Sequence, residues 1–101
     1  MGAMPSYVIY QGDVTDPAQY DKYKPLSAAS ISAAGGRLIV RGGAFEVLEG
    51  NTPPSRTVVI EFPTREAAVD WYNSAAYLEA RQVREGAAIA NMYAIDGYDE
   101  A

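Results

Sequence analysis

Histidine and cysteine are both absent from these 101 residues. Without an imidazole the chain lacks the usual general base near neutral pH, the usual haem ligand and the usual zinc ligand. Without a thiol it has no disulfide framework, no thiolate nucleophile and no thiolate-bound metal. Positive charge is scarce too: eight Lys and Arg against thirteen Asp and Glu leave a net charge of −5. Nucleic acid and anionic membrane surfaces both select a basic face, so neither is an expected partner. No apolar run approaches the ~18 residues of a membrane-spanning helix, and no charged-then-apolar leader opens the chain. A soluble, cytoplasmic protein is the expectation. Chemistry, if any, rests on carboxylates, tyrosines, arginines, lysines, amides or hydroxyls, and no cofactor or metal is expected.

What is present suits one small domain. Hydrophobic residues make up 49% and charged residues 21%, enough for a single modest core. Residues 1–3 read as a cloning remnant ahead of a natural start at Met4, and 4–101 as one domain. "SYVIYQGDV" (6–14) is rich in β-branched and aromatic residues and predicts a strand. Asp16, Pro17 and Gln19 then suit N-cap, N1 and N3 of a helix, in a capping-box-like exchange. Tyr20, Tyr23, Ser27, Ile31 and Ala34 form its stripe, Pro25 predicts a kink or break near Tyr23–Lys24, and Gly35–Gly36 ends it. "RLIVR" (37–41) predicts a second strand that continues through "AFEVLE" (44–49), with a bulge or bend at Gly42–Gly43. A turn over 50–55 leads to a strand at 56–62. Thr64 caps one helix and Ser74 a second, which Gly86 ends, and 91–98 predicts the last strand.

The order β-α-β-β-α-β predicts an α+β, ferredoxin-like antiparallel sheet with its helices on one face. The other face is too apolar to leave in water, and with Ala44 counted opposite Glu61 the residues 37–41 overshoot the third strand. Both features predict a homodimer.

The strings "DVTDPAQYDKY", "GGRLIVRGG", "EVLEG" and "VVIEFPTREAAVDWYNSAAY" resemble a family of small dimeric α/β-barrel proteins classed as a domain of unknown function. The resemblance spans nearly all of residues 5–98. Its wider superfamily includes antibiotic-biosynthesis monooxygenases, muconolactone isomerase, EthD-like proteins and chlorite dismutase. The resemblance implies two ferredoxin-like subunits joined face to face into a barrel, each with a pocket between sheet and helices. It implies no agreed activity. Ala75 and Ala76 stand where the family commonly has a proline and an acidic residue, and the histidine-dependent and haem-binding activities are excluded by composition.

Two groups of residues are candidates for a site. Strict alternation sets Leu38 and Val40 on one face and Arg37, Ile39 and Arg41 on the other, with Val58, Ile60 and Phe62 opposed to Thr57, Val59 and Glu61. Arg41 and Glu61 then meet either as a structural ion pair or as a catalytic pair, Arg41 holding a substrate carboxylate or enolate and Glu61 accepting a proton. In "WYNSAAY", Trp71, Tyr72 and Tyr77 are either core or the wall of a substrate-binding pocket, with Tyr20 and Tyr23 opposite. Asp13 reads as solvated, and "EARQVRE" (79–85) as a solvated charged face. The functional alternatives are a cofactor-independent isomerase, cyclase or monooxygenase-like enzyme on a small aromatic or anionic metabolite, a non-catalytic ligand-binding dimer, or a structural dimer filled by its own side chains.

Overall fold

A computed structural model describes residues 4–98, and the reading of residues 1–3 lies outside them. Strand β1 (Ser6–Val14) leads into helix α1 (Pro17–Ala33), then the β2 (Arg37–Arg41) and β3 (Arg56–Phe62) hairpin. Helices α2 (Arg65–Tyr72) and α3 (Ala75–Arg84) follow, and β4 (Ala88–Asp96) closes the order. The four strands form one antiparallel sheet in the order β2-β3-β1-β4, with the helices packed on one face. This is the α+β, ferredoxin-like fold.

Local chemistry accounts for most boundaries. Asp16 accepts from the Gln19 amide at 3.2 Å, Thr64 from Ala67 at 3.0 Å and Ser74 from Tyr77 at 3.2 Å, so each helix opens on a side-chain cap. The reciprocal half of the first capping box does not form. Gln19 reaches instead to the Val83 carbonyl at 2.9 Å, tying α1 to α3. Helix α1 runs unbroken through Pro25, against the expected break. Pro25 and Asp21, whose carbonyl loses its amide donor, both lie exposed, where water can satisfy that carbonyl. Gly35, at φ +80°, turns the chain out of the helix while Gly36 bonds back to the Ile31 carbonyl at 2.9 Å.

The hairpin departs from expectation in three ways. Residues 44–49 form no strand; the chain leaves the sheet at Gly42, φ +64°, whose amide bonds the Thr57 carbonyl at 2.8 Å. Glu61 faces Arg37, not Ala44, so β2 does not overshoot β3. The bulge lies between Leu38 and Val40, not at the glycine pair. Strand β4 likewise starts three residues earlier than the expected 91. Its leading Ala88-Ile89-Ala90 pairs with β1 despite weak intrinsic strand preference.

Val8, Tyr10, Ile60 and Phe62 on the inner sheet face pack against Tyr20, Tyr23, Ile31, Trp71 and Tyr77 of the helices. The opposite face carries Tyr7, Ile9, Val59 and, in the same rows, Tyr93 and Ile95. No element among the described residues covers it, and Tyr93 and Ile95 are more than half exposed. The Cα envelope, 44 × 38 × 16 Å, is a two-layer slab.

Candidate functional site

The bulge at Ile39 decides where Arg41 goes. Leu38 pairs with Ile60 on the inner face, Ile39 is the extra residue, and Val40 pairs with Val59 on the outer face. Arg41 therefore pairs with Val58 and turns inward, beneath α1. Glu61 stays on the outer face. There it meets Arg37, with Nη2 donating to Oε1 at 3.1 Å, and the Tyr7 hydroxyl donates to Oε2 at 3.4 Å. The expected Arg41–Glu61 pairing is thus replaced by Arg37–Glu61, and the sheet stands between Arg41 and Glu61. The Arg37 side chain is largely exposed even though it is paired. Asp13 accepts from the Ser55 amide at 2.8 Å and fixes the chain entering β3.

The aromatic residues converge on one cluster. Trp71 and Tyr77 are 1% and 0% exposed, with ring centroids 4.1 Å apart. The Trp71 Nε1–H donates to Ser30 Oγ at 3.0 Å, and the Ser30 hydroxyl donates to the Ser27 carbonyl at 2.8 Å. Tyr23 and Tyr77 share a 2.8 Å hydroxyl–hydroxyl bond. These polar tips are already satisfied inside the core. Tyr72 is half-buried, and its hydroxyl accepts from Arg81 Nη1 at 2.7 Å. Burial first, and then the neighbouring phenols, push Tyr10 and Tyr77 well above the ordinary tyrosine range. Both are neutral hydroxyls at physiological pH, which removes them as bases.

Two spaces open on either side of this cluster. The first is an apolar slot of about 170 Å³ between α2 and the β1–β4 side of the sheet, walled by Val8, Ala68, Trp71, Tyr72, Met92 and Ala94. Ala68 and Ala94 supply the small side chains that leave it open. Of the expected pocket residues, Trp71 and Tyr72 reach this slot; Tyr23 and Tyr77 do not. The second is a narrow crevice of about 30 Å³ between α1 and the β2–β3–β1 side. Tyr10, Tyr20, Tyr23, Lys24, Arg41 and Arg56 border it, and Met92 belongs to both spaces.

Three arginines outside the expected set bear on these spaces. Arg56 Cζ lies 5.5 Å from the Tyr20 ring centroid. Arg84 Cζ lies 5.5 Å and 5.4 Å from the rings of Tyr10 and Tyr23, and Arg81 Cζ 4.2 Å from Tyr72. The 79–85 segment is therefore no purely solvated face: Arg81 and Arg84 fold back onto the core tyrosines. A spacing of three residues puts them on one helix side, the signal that alternating charge concealed. Among the described residues, no carboxylate pairs with Arg41, Arg56, Arg81 or Arg84, and no three acidic side chains gather as a metal site would require. No helix is long and apolar enough to cross a membrane.

Residues 5–98 match the family described as a domain of unknown function, DUF1330. No curated protein matches. Among solved structures, a protein of unknown function from Rhodopseudomonas palustris is similar with a TM-score of 0.77 at 16% identity, over 95% of this chain and 84% of that one. SnoaB, a cofactor-independent oxygenase from Streptomyces nogalater, is similar at 0.66 and 11% identity, over 96% of each chain. A putative antibiotic biosynthesis monooxygenase from Nitrosomonas europaea is similar at 0.57 and 18%, over 99% of this chain and 95% of that one. What the chain shares with these structures is the ferredoxin-like α+β fold.

Proposed function

Since this chain belongs to the DUF1330 family, whose description carries no activity, the reading must come from its own cavities, and we propose that the protein binds a small, flat aromatic ligand in the slot between α2 and the β1–β4 side of the sheet. The slot itself carries this reading. Protein interiors are close-packed, with few voids larger than a water molecule. The space beside Trp71 is instead a cleft of about 170 Å³, apolar and partly open to solvent, and apolar cavities of about 150 Å³ take up benzene-sized guests. Tyr72 and Met92 offer a ring and a polarisable thioether to such a guest.

Binding without turnover is the better supported version. The Trp71 N–H is already used, the Tyr72 hydroxyl is held by Arg81, and Glu61 lies on the other face of the sheet. The likeness to SnoaB favours a second version, a cofactor-independent oxygenation of the same guest. Oxygen consumption with a bound aromatic separates the two. We also propose that the protein works in the cytoplasm as a homodimer, joined through the uncovered sheet face, where Ile89, Tyr93 and Ile95 are more than half exposed.

The test is a thermal melt with phenol and indole, which are neutral and flat. A ligand at ~100 times its dissociation constant adds about 2.7 kcal/mol, and each kcal/mol moves the melt of such a domain by roughly 4–8 °C. Ala94→Leu places a larger side chain in the slot and is expected to abolish the shift. No shift in the parent protein rejects the reading.

A further inference from the structure

We propose that the crevice under α1 is a separate anion site, which takes the carboxylate of a small organic acid between Arg41 and Arg56. The slot plays no part in it. The sheet register brings the site together. Gly12 pairs with Arg56, Tyr10 with Val58, and Val58 with Arg41, so Tyr10, Arg56 and Arg41 all reach the inner face at one end of the sheet. Lys24 and Tyr20 descend onto the same place from α1, with Lys24 Nζ 5.9 Å from the Tyr20 ring centroid.

Two observations point to a ligand. Tyr10 is 2% exposed, yet among the described residues its buried hydroxyl, although close to Tyr20 and Arg84, makes no hydrogen bond, and neither does the buried Nε of Arg56. Buried polar groups are paired in the great majority of cases, so two orphans on one crevice need an explanation. Charge is the second observation. In a chain of net charge −5, three cations border one crevice, and Asp21, on Lys24 at 3.1 Å, is the carboxylate that pairs with any of them among the described residues. Ring faces offset part of this: Tyr20 lies under Arg56 and Lys24. They supply no acceptor oxygen.

Size sets the ligand class. About 30 Å³ holds one or two waters. That suits a carboxylate head and not a ring, so the rest of the ligand leaves past exposed Arg41. Guanidinium groups match the two oxygens of a carboxylate in a planar, forked geometry. The neutral Tyr10 hydroxyl supplies the donor that such an anion also needs.

Benzoate is the probe and benzamide its uncharged counterpart, with binding followed by calorimetry and by the tyrosine ring resonances of the intact chain. Saturable benzoate binding is expected, with benzamide and Arg41→Gln each weakening it by about 10-fold or more. Arg41 is exposed, so Arg41→Gln is expected to fold; Arg65→Gln, remote from the crevice, should bind as the parent does. Tyr10→Phe should weaken benzoate while leaving the ligand-free melting temperature unchanged or raised, which a purely structural hydroxyl would not do. Ala94→Leu, which closes the slot to phenol, should leave benzoate binding intact. Absence of saturable binding, equal binding of benzamide, or binding that survives Arg41→Gln but is lost in Ala94→Leu overturns the proposal.

Discussion

Removing the Tyr23 hydroxyl strands that of Tyr77, a residue with no exposed surface, because the 2.8 Å bond between them is the one their hydroxyls make among the described residues. Tyr23→Phe should cost about 1–3 kcal/mol, the penalty of a buried hydroxyl left unpaired. Tyr23→Phe with Tyr77→Phe removes both polar groups and should recover most of it, a coupling that urea unfolding of the four-member cycle measures directly. Tyr10 stands in the opposite position, its hydroxyl unpaired among the described residues, so Tyr10→Phe should gain about 1 kcal/mol in the absence of ligand. Titration gives a further expectation at this scale. The ordinary phenol value is 10.0, and Tyr10 and Tyr77 are held above it in the folded state. Their contribution to stability is therefore fully present below pH 10 and is lost as pH rises beyond it, because the unfolded chain releases those protons first. Melting temperature should be flat in this respect from pH 7 to 9 and fall above 10, less steeply in Tyr10→Phe.

Among the elements, β2 is where sequence and structure part. β1 and β3 were legible to the residue, because β-branched and aromatic runs there end on turn chemistry, and the three helix caps were legible from Asp16, Thr64 and Ser74. "RLIVR" alternates equally well in two registers, and the adjacent glycine pair marks the bend at Gly42 but not the bulge at Ile39. Placing the extra residue at Ile39 inverts the side of everything after it, so the inward Arg41 was not visible beforehand. Inward Arg81 and Arg84 were hidden for another reason: a charged residue on a helix is ordinarily solvated, and only the tyrosines beneath them make the inward rotamer worthwhile. Deleting Ile39 should leave Leu38 inward, Val40 outward and Arg41 inward, on an unbulged strand. That variant should fold and keep its inner-face pairings, observable as cross-strand amide contacts. Gly42 has a different sensitivity. At φ +64° a Cβ would also fall 2.5 Å from Arg56 Nη1, so Gly42→Ala should destabilise the protein by about 1–2 kcal/mol and displace the Arg56 guanidinium.

For the whole molecule, thickness is the governing quantity. A slab of 16 Å has one buried layer, and the Ile9–Val59–Tyr93 side of its sheet faces outward. Sedimentation equilibrium should give the mass of two chains, and Val59→Lys, at the centre of that side, should give the mass of one without unfolding it. A monomeric parent protein would rule out the dimer.

Met92 has a consequence of its own. A single unbranched thioether borders both an oily compartment and a cationic one, and is the side chain through which a guest in one can be felt in the other. Any linkage between the occupants of the two compartments is reciprocal: whatever factor indole imposes on benzoate affinity, benzoate must impose on indole. Met92→Ala takes that side chain away, and with it any such linkage.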